Sequence, residues 1–358
     1  MSDQKQTLTT EEDASSRTPQ RGESRRVQLT GGSTLVVSLP IDWARSVGIK
    51  PRDEVHLVPQ SDMSLLLTIG EHRPSASETA IVIQPNENDE EILRKFIAYY
   101  IAGFDIVRFQ FKGSSPEVRS KLKSRIRDQL IGVEIVEETS ESILAQCLRG
   151  HMDLPLKKAL GRMAILSSAM ASDSVNALSA GNLDIAKDIV ERDDEVDRFS
   201  HFIARQLNLA VHNRATIQEI GLSTAQDCMN YRLIVKSIER IADHAVQIAM
   251  STQMLNGRRI PQPLVEKIQK LSKLSREMYD NAMKSVNMRN GKLANETIMR
   301  LKPILKEEEA ATDELISSRL DNRAVVSLRL ALESLRRSAE YSSDICEIVV
   351  NMTVGSPF

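Results

Sequence analysis

The chain has 358 residues, of which 41% are hydrophobic and 27% are charged, and its formal net charge at pH 7 is −2. This composition is typical of globular proteins, and the length allows two or three domains, each with its own core. No stretch approaches the roughly 20 consecutive apolar residues that a membrane-spanning helix requires, so we expect no insertion into a membrane.

The first 24 residues are rich in Ser, Thr, Gln, Glu and Arg and contain almost nothing to bury. We predict a disordered tail there, without the apolar core of a secretory signal peptide. The three cysteines of the chain, Cys147, Cys228 and Cys346, are far apart and form no CxxC pair. Because an odd number of isolated thiols is typical of a reducing compartment, we predict a cytoplasmic protein.

Residues 25–70 are predicted to form four short strands and one helix. The strands are placed on runs of aliphatic and β-branched residues, at Arg26–Leu29, Thr34–Leu39, Glu54–Pro59 and Ser64–Ile69. Pro40 and Asp42 begin the helix and Gly48 ends it. Four short strands and one helix are too few for a core of their own, so we expect this region to pair with a second copy.

Two segments in this region, "GSTLVVSLP" and "WARSVGIKPRDEV", resemble the AbrB/SpoVT swapped-hairpin family. The resemblance covers residues 25–70. It implies a small β barrel built by interleaving two chains, and therefore a homodimer. It also implies a domain of a kind that commonly binds DNA.

The charge of the same region agrees with DNA as a partner. Between Arg21 and Arg52 there are six basic and two acidic residues, a net charge of +4 that dimerisation would double. Such a stripe can neutralise several phosphates of a duplex. The predicted DNA-binding residues are Arg25, Arg26, Arg45, Lys50 and Arg52. The alternative is a domain that only dimerises, with its arginines in solvent.

Residues 76–148 are predicted to form an α/β module with the order strand, helix, strand, helix and two further strands. This order resembles ferredoxin-like or ligand-sensing modules. The region contains no phosphate loop, no GxGxxG and no nucleophile elbow, so we assign it no chemistry. A structural spacer is the favoured interpretation, and a small-molecule sensor is the alternative.

From Asp153 to Val350 the pattern is helical throughout. The helix breaks are predicted near Gly181-Asn182, Val211–Gly221, Asn256–Pro263, Asn290-Gly291 and Asp321–Arg323. They leave six long segments, which suggests two three-helix units. The segments "SIERIADHAVQIAM" (237–250) and "SLRRSAEYSSDICE" (334–347) are identical at four positions and support an internal repeat.

Pairs of acidic residues, one helical turn apart, interrupt the apolar stripes of these helices. Asp193 and Asp197 fall within the stripe of segment 182–209. In the second unit a stripe drawn through Ile298, Leu301, Leu305, Ile316 and Leu320 contains Glu309 and Asp313. Ionised carboxylates enter a core only when they are paired or bind a cation. If the helices form antiparallel hairpins, Asp193 and Asp197 can face the acidic pair formed by Glu239 and Asp243.

The repeated [ED]xxxD pattern, with "ERIADHAVQIA" (239–249) as its most specific part, resembles the PhoU family of phosphate-uptake regulators over residues 150–352. The resemblance implies two symmetric three-helix bundles, which in some members hold multinuclear iron, zinc or manganese clusters. Carried over, it gives the metal ligands Asp193, Asp197, Glu239, Asp243, Glu309, Asp313 and Glu340. Arg336 stands where an acid is expected, which weakens the second site.

Carboxylate oxygens favour Mg, Mn or Fe over a cysteine-type Zn site, and we expect no organic cofactor. His244, next to Asp243, points away from it on a helix and is predicted to be a surface or partner contact. No Glu-x-x-His spacing of di-iron oxidases occurs in the helical region. This argues against an enzyme.

The sequence therefore predicts a multidomain, non-enzymatic regulator. Its parts are a swapped-hairpin β domain, an α/β module and an all-α PhoU-like domain, an arrangement associated with archaeal sequences. The resemblance implies regulation of phosphate uptake through the ATPase of a phosphate transporter, a signalling protein or direct control of transcription. The alternative is a carboxylate-bridged metalloenzyme or metal-storage bundle.

Overall fold

The computed structural model describes residues 22–59, 63–69, 76–85, 87–113, 116–148, 154–211 and 214–354. The predicted disordered tail lies almost entirely outside these residues. The chain divides into two compact units, with the boundary near residue 73.

The first unit contains two antiparallel hairpins and one helix. The first hairpin joins β1 (Gln28–Thr30) and β2 (Thr34–Val36), and the second joins β3 (Val55–Pro59) and β4 (Leu65–Ile69), with α1 (Ile41–Ser46) between them. Gly31 and Gly32 take positive φ angles of 63° and 82° in the first turn, where a residue without Cβ is favoured. The first two strands are shorter than predicted, because the pairing within one chain ends at Gln28 and Val36.

This unit has almost no core within a single chain. Ala44 is the only buried apolar residue among residues 22–59 and 63–67. The large apolar side chains of both hairpins and of the adjoining segments are exposed, among them Val27, Leu29, Leu35, Val37, Ile41, Leu57 and Leu65. An isolated two-stranded hairpin is only marginally stable in water, so we expect these apolar side chains to be buried against another surface.

The α/β module has the predicted order of elements. These are β5 (Glu78–Ile83), α2 (Asp89–Ala102), β6 (Ile106–Phe111), α3 (Pro116–Gln129), β7 (Val133–Glu138) and β8 (Ser142–Cys147). The strands form one mixed sheet of order β5-β6-β8-β7, in which only β5 and β6 are parallel. The ferredoxin-like prediction is wrong, because that fold places two strands between its helices, whereas here the last two strands follow both helices.

Alternating residues of the sheet form the core of this module. On β6, Val107, Phe109 and Phe111 are buried, and they pack with Phe96 and Tyr100 of α2. The helices α2 and α3 also contact α5 of the helical region, so the module belongs to the same compact unit as the helices.

The helical region contains six long segments, as the sequence predicts. The elements are α4 (Leu156–Ala180), α5 (Leu183–Val211), α6 (Arg214–Glu219), α7 (Ala225–Leu255), α8 (Gln262–Met288), α9 (Gly291–Ile298), α10 (Leu301–Ser317) and α11 (Asn322–Thr353). Helices α4, α5 and α7 form one three-helix bundle, and α8, α11 and the α9–α10 segment form the other. The bundles meet through α7 against α11 and α4 against α8. Within the described ranges, no helix combines the length and apolarity needed to cross a membrane.

Local sequence signals set the ends of these helices. Gly181 ends α4 in the left-handed conformation, with φ of 67°. Thr224 and Asp227 form a reciprocal capping box at the start of α7. Asp321 caps α11 by accepting the backbone N–H of Ala324 at 3.0 Å. The termini that orient the two longest helices are therefore encoded locally.

The fifth long segment is broken between α9 and α10, which the sequence analysis missed. Pro303 has no N–H to donate to the carbonyl oxygen of Met299, and its ring clashes with that carbonyl in a regular helix. The break falls at Met299. The apolar stripe drawn continuously from Ile298 is therefore wrong beyond the break. The buried face of α10 carries Ile304, Glu308, Ala311 and Leu315, whereas Leu305 is 37% exposed and Ile316 is 71% exposed.

Candidate metal centre

Four carboxylates lie where α5 packs against α7. On α5, Asp193 and Asp197 are half-buried on either side of Val196, which is fully buried in the bundle core. On α7, Glu239 and Asp243 are half-buried at the edge of the face that inserts Ile238 and Ala242 into the same core.

These carboxylates are close enough to raise one another's pKa. Burial raises the pKa of Asp193 to about 7, and the neighbouring charges of Asp197 and Asp243 add to the effect. Burial also raises the pKa of Asp197 to about 7, with Glu239 and Asp243 as the main neighbouring charges. The pKa of Asp243 is raised by burial and then by Glu239. The structure thus brings the two acidic pairs together.

A hydrogen bond between α5 and α7 shows which residues of the two helices lie side by side. Glu239 lies beside Ser200, whose hydroxyl donates to its Oε2 at 3.0 Å. The other oxygen of Glu239 accepts a hydrogen bond from Lys236, and Asp243 lies 3.8 Å from Arg240. Protein groups therefore engage both α7 carboxylates.

The donor chemistry of the four side chains fits a hard divalent cation, since carboxylate oxygens are the preferred ligands of Mg²⁺ and Mn²⁺. Their present arrangement is looser than a coordination sphere. Within the described ranges, no three His, Cys, Asp or Glu side chains are grouped so that they could hold a metal ion. Binding would require Glu239 and Asp243 to leave their basic partners.

The structure does not bring together the acids predicted for the second repeat. Glu309 and Asp313 are exposed on α10. Glu340 on α11 is engaged by Arg336 and Arg337, so its charge is already compensated. The predicted placement of Glu309 and Asp313 inside an apolar stripe is wrong, because the break before α10 shifts the buried face by one residue.

Glu308 is the acid that the sequence analysis overlooked in this repeat. It is 8% exposed, accepts a hydrogen bond from Thr312 at 3.1 Å and lies 2.9 Å from Arg329. Arg329 therefore compensates the charge of Glu308 within the bundle. Pro303 could have revealed Glu308 from the sequence, because it indicates the helix break that puts Glu308 on the buried face of α10.

His244 lies at the crossing of α7 and α11. Its ring is half-buried and stacks on Tyr341 with 5.8 Å between centroids, and Arg337 lies 4.9 Å from the centre of the Tyr341 ring. Burial lowers the pKa of His244, and the nearby Arg337 lowers it further. The histidine is therefore a contact between the bundles within one chain, rather than the surface or partner contact predicted.

The helix that carries Asp193 and Asp197 is also bound tightly to the α/β module. Arg205 of α5 is 8% exposed and donates to the carbonyl oxygens of Tyr100 at 2.6 Å and Phe104 at 2.8 Å. It also lies 3.4 Å from an oxygen of Asp105. Nothing in the local sequence distinguishes Arg205 from an exposed arginine, so sequence reasoning missed it.

The predicted DNA-binding residues lie in the first unit, where their side chains are exposed. Arg25 pairs with Glu23, and Arg45 lies 4.0 Å from Asp42. In the described part of the chain, Arg26, Lys50 and Arg52 form no ion pair, so their three positive charges are uncompensated. Arg26 precedes β1, whereas Lys50 and Arg52 follow α1, so the three residues do not lie on one helix.

Comparison with known proteins gives a consistent match to one family. Residues 160–252 match the family model of the PhoU domain. The chain is 22% identical over 204 residues to the "Phosphate-specific transport system accessory protein PhoU homolog" of Clostridium acetobutylicum. The aligned region covers 56% of this chain and 91% of that protein. The match to the family model thus lies within the first bundle, between α4 and α7.

Two solved structures are similar to this chain. PhoU from Pseudomonas aeruginosa matches with a TM-score of 0.50 and 19% identity over 56% of this chain and 96% of that chain. The phosphate transport system regulatory protein PhoU from Streptococcus pneumoniae has a TM-score of 0.49 and 19% identity, covering 57% of this chain and 95% of that chain. The likeness to the Pseudomonas aeruginosa protein shows a shared fold.

Proposed function

We propose that the protein is a non-enzymatic regulator of phosphate uptake that acts by binding a phosphate-transporter component, such as its ATPase, or a signalling protein. The observation that carries this proposal is the pair of three-helix bundles, the first of which contains the segment that matches the PhoU domain. The curated relative is named as an accessory protein of phosphate-specific transport. A fold shared with PhoU from Pseudomonas aeruginosa supports the same assignment.

Phosphate uptake by cells that lack the gene tests this proposal. Loss of the protein should change the uptake rate when phosphate is abundant, and the full-length chain should restore it. The tagged full-length protein should also co-purify with the transporter ATPase or with a sensor protein of the same system. Unchanged uptake together with no such partner would refute the role.

We further propose that the first repeat binds a divalent cation through Asp193, Asp197, Glu239 and Asp243, with Mn²⁺, Fe²⁺ or Mg²⁺ favoured over Zn²⁺. The raised pKa values of Asp193 and Asp197 support this, because half-buried carboxylates that repel one another are stabilised by a cation. The cation would neutralise the cluster and join α5 to α7. We assign it no catalytic step.

We propose that residues 25–70 form a homodimer. The apolar side chains exposed on both hairpins support this, because the described residues of the first unit leave them without a core. Light scattering at micromolar concentration is expected to give twice the mass of the chain, and Leu35→Lys together with Leu57→Lys should shift the protein toward monomer. Ile316→Lys, at an exposed apolar residue of α10, is the matched control and should leave the mass unchanged. A monomeric unmodified protein would contradict the proposal.

We also propose that the dimer binds DNA through Arg25, Arg26, Arg45, Lys50 and Arg52. Duplex affinity should fall steeply as salt rises, since neutralised phosphates release counterions. Replacing Arg25 and Arg26 with alanine should weaken binding roughly tenfold or more without lowering the melting temperature, as measured by fluorescence anisotropy. Replacing the exposed Lys157 and Lys158 with alanine removes the same charge elsewhere and should have no effect. If promoter and random duplexes fail to bind even at low salt, the unit only dimerises.

A further inference from the structure

A small cavity lies between the α/β module and the first helical bundle, and none of the four carboxylates is among its lining residues. Its volume is about 160 Å³, and it is lined by Ile131, Arg162, Glu195, Arg198 and Phe199. Ile131 follows α3 of the module, Arg162 lies on α4, and the other three residues lie on α5. This volume holds several water molecules and is sufficient for a compact tetrahedral anion.

The two arginines that line this cavity have no acidic partner among the residues that the structure describes. Within the described ranges neither Arg162 nor Arg198 forms an ion pair, and the buried Nε of Arg198 has no hydrogen-bond acceptor. Other arginines of the same helix are compensated. Arg192 lies 2.9 Å from Asp173 and 2.7 Å from Asp188, and Arg205 is bound by the module. Buried donors are normally satisfied, so this position calls for an acceptor.

The chemistry of the lining specifies the class of acceptor. Guanidinium groups present paired N–H donors that match the oxygens of phosphate-like anions. The side chains of Ile131 and Phe199 make part of the lining apolar, and apolar surroundings strengthen the attraction between opposite charges. The carboxylate of Glu195 opposes it, so the lining carries a net charge of +1 from two arginines and one glutamate. A doubly charged anion gains more from this site than a singly charged one.

We propose that this cavity binds a small tetrahedral oxyanion of the phosphate class, held by Arg162 and Arg198. Because the lining joins the module to two helices of the bundle, the bound anion stabilises the docking of one on the other. The inference rests on the cavity and its charges, and it holds whether or not the protein regulates phosphate uptake. The same phosphoryl chemistry can come from free phosphate or from a phosphomonoester whose organic part extends out of the cavity.

Calorimetry and thermal melting of the full-length protein with inorganic phosphate, at constant ionic strength, test this site. Phosphate should bind and raise the melting temperature, because a ligand that binds only the folded state stabilises it. Arg198→Gln and Arg162→Gln should each weaken phosphate binding about tenfold or more, the value of a charge-assisted hydrogen bond. Glu195→Gln should tighten binding. Lys187→Gln, an exposed charge on α5 outside the cavity, should leave affinity unchanged.

The outcomes separate the possible ligands. Tighter binding of a phosphomonoester than of phosphate, lost in both arginine variants, identifies an organic phosphate as the ligand and supports the site. Since Arg162 is exposed, its variant should fold normally and reports on binding alone. If phosphate and a phosphomonoester both fail to bind, or if Arg162→Gln binds them as the unmodified protein does, the proposal is overturned. Failure of the uptake experiment alone would leave this site standing.

Discussion

Replacing Arg205 with alanine is expected to lower the free energy of unfolding by roughly 3 kcal/mol. The guanidinium donates to the carbonyl oxygens of Tyr100 and Phe104, lies 3.4 Å from Asp105 and stands 5.1 Å from the centre of the Tyr100 ring. Hydrogen bonds from a charged donor contribute about 1.5–3 kcal/mol each, and truncation leaves their buried acceptors unsatisfied. The loss should appear as a melting temperature lowered by about 6 °C or more.

Two matched variants show whether this loss comes from the contact with the module. Arg205→Lys keeps the charge but cannot donate from a planar fork, so it should give a smaller loss. Asn208→Ala removes the neighbouring bond from α5 to the carbonyl of Ile101, at 3.0 Å and exposed, and should cost less than about 1 kcal/mol. Hydrogen exchange of the backbone amides at residues 100–105 should become faster in Arg205→Ala and should not change in Asn208→Ala. If Arg205→Ala melts like Asn208→Ala, the arginine does not hold the module to α5.

Asp193 and Asp197 are expected to lower the stability of the metal-free protein as the pH rises from 5 to 8. Asp193 and Asp197 have pKa values of about 7 in the folded protein and an ordinary value of 3.8 when exposed. Between these values the folded state binds more protons than the unfolded state, so stability falls as the pH rises through this window. The physical cause is that burial and mutual repulsion penalise the ionised carboxylates. Melting curves of protein treated with a chelator, recorded from pH 5 to pH 8, measure the effect.

A bound cation should reverse this pH dependence. Adding Mn²⁺ or Fe²⁺ should raise the melting temperature at pH 8 and have little effect at pH 5, because protonated carboxylates are poor ligands. At a hundredfold excess over the dissociation constant the gain is about 2.7 kcal/mol. Asp243→Asn should remove most of that gain, and it should stabilise the metal-free protein at pH 8 because it relieves repulsion.

The second repeat provides the controls for this experiment. Asp313→Asn makes the same change at an exposed carboxylate, and Arg336→Ala alters the position that corresponds to Glu239 in the repeat. Neither should reduce the response to metal. If the metal-free and metal-soaked proteins melt alike and Asp243→Asn behaves as a neutral change, the four acids are a hydrated surface cluster.

Local sequence patterns predicted most of the secondary structure. The alternating apolar residues of β6 are a signal that acts over a few residues, and so are the capping side chains of Asn88, Thr224 and Asp321 in the structure. The six long helical segments follow from breaks at positions such as Gly181 and Asn290. The acidic pair on α5 was found in the same way, because a carboxylate inside an apolar stripe is visible in the sequence, whereas the pair on α7 came from the expected hairpin and the family resemblance.

The tertiary structure decided which polar groups meet. The relative position of α5 and α7 along their length depends on the packing of whole helices, and it places Glu239 beside Ser200. The apolar periodicity, continued across residue 299, placed Glu309 on the buried face of the helix. Because Pro303 breaks the helix there, Glu308 is buried instead and pairs with Arg329. Arg205 and Arg198 lie on one helix and look alike in sequence. Among the described residues only Arg205 has hydrogen-bond acceptors, because these lie in and just after α2, which is distant in sequence. Hydrophobic periodicity reports which face of a helix is buried, and contacts between distant elements determine the partners of each buried charge.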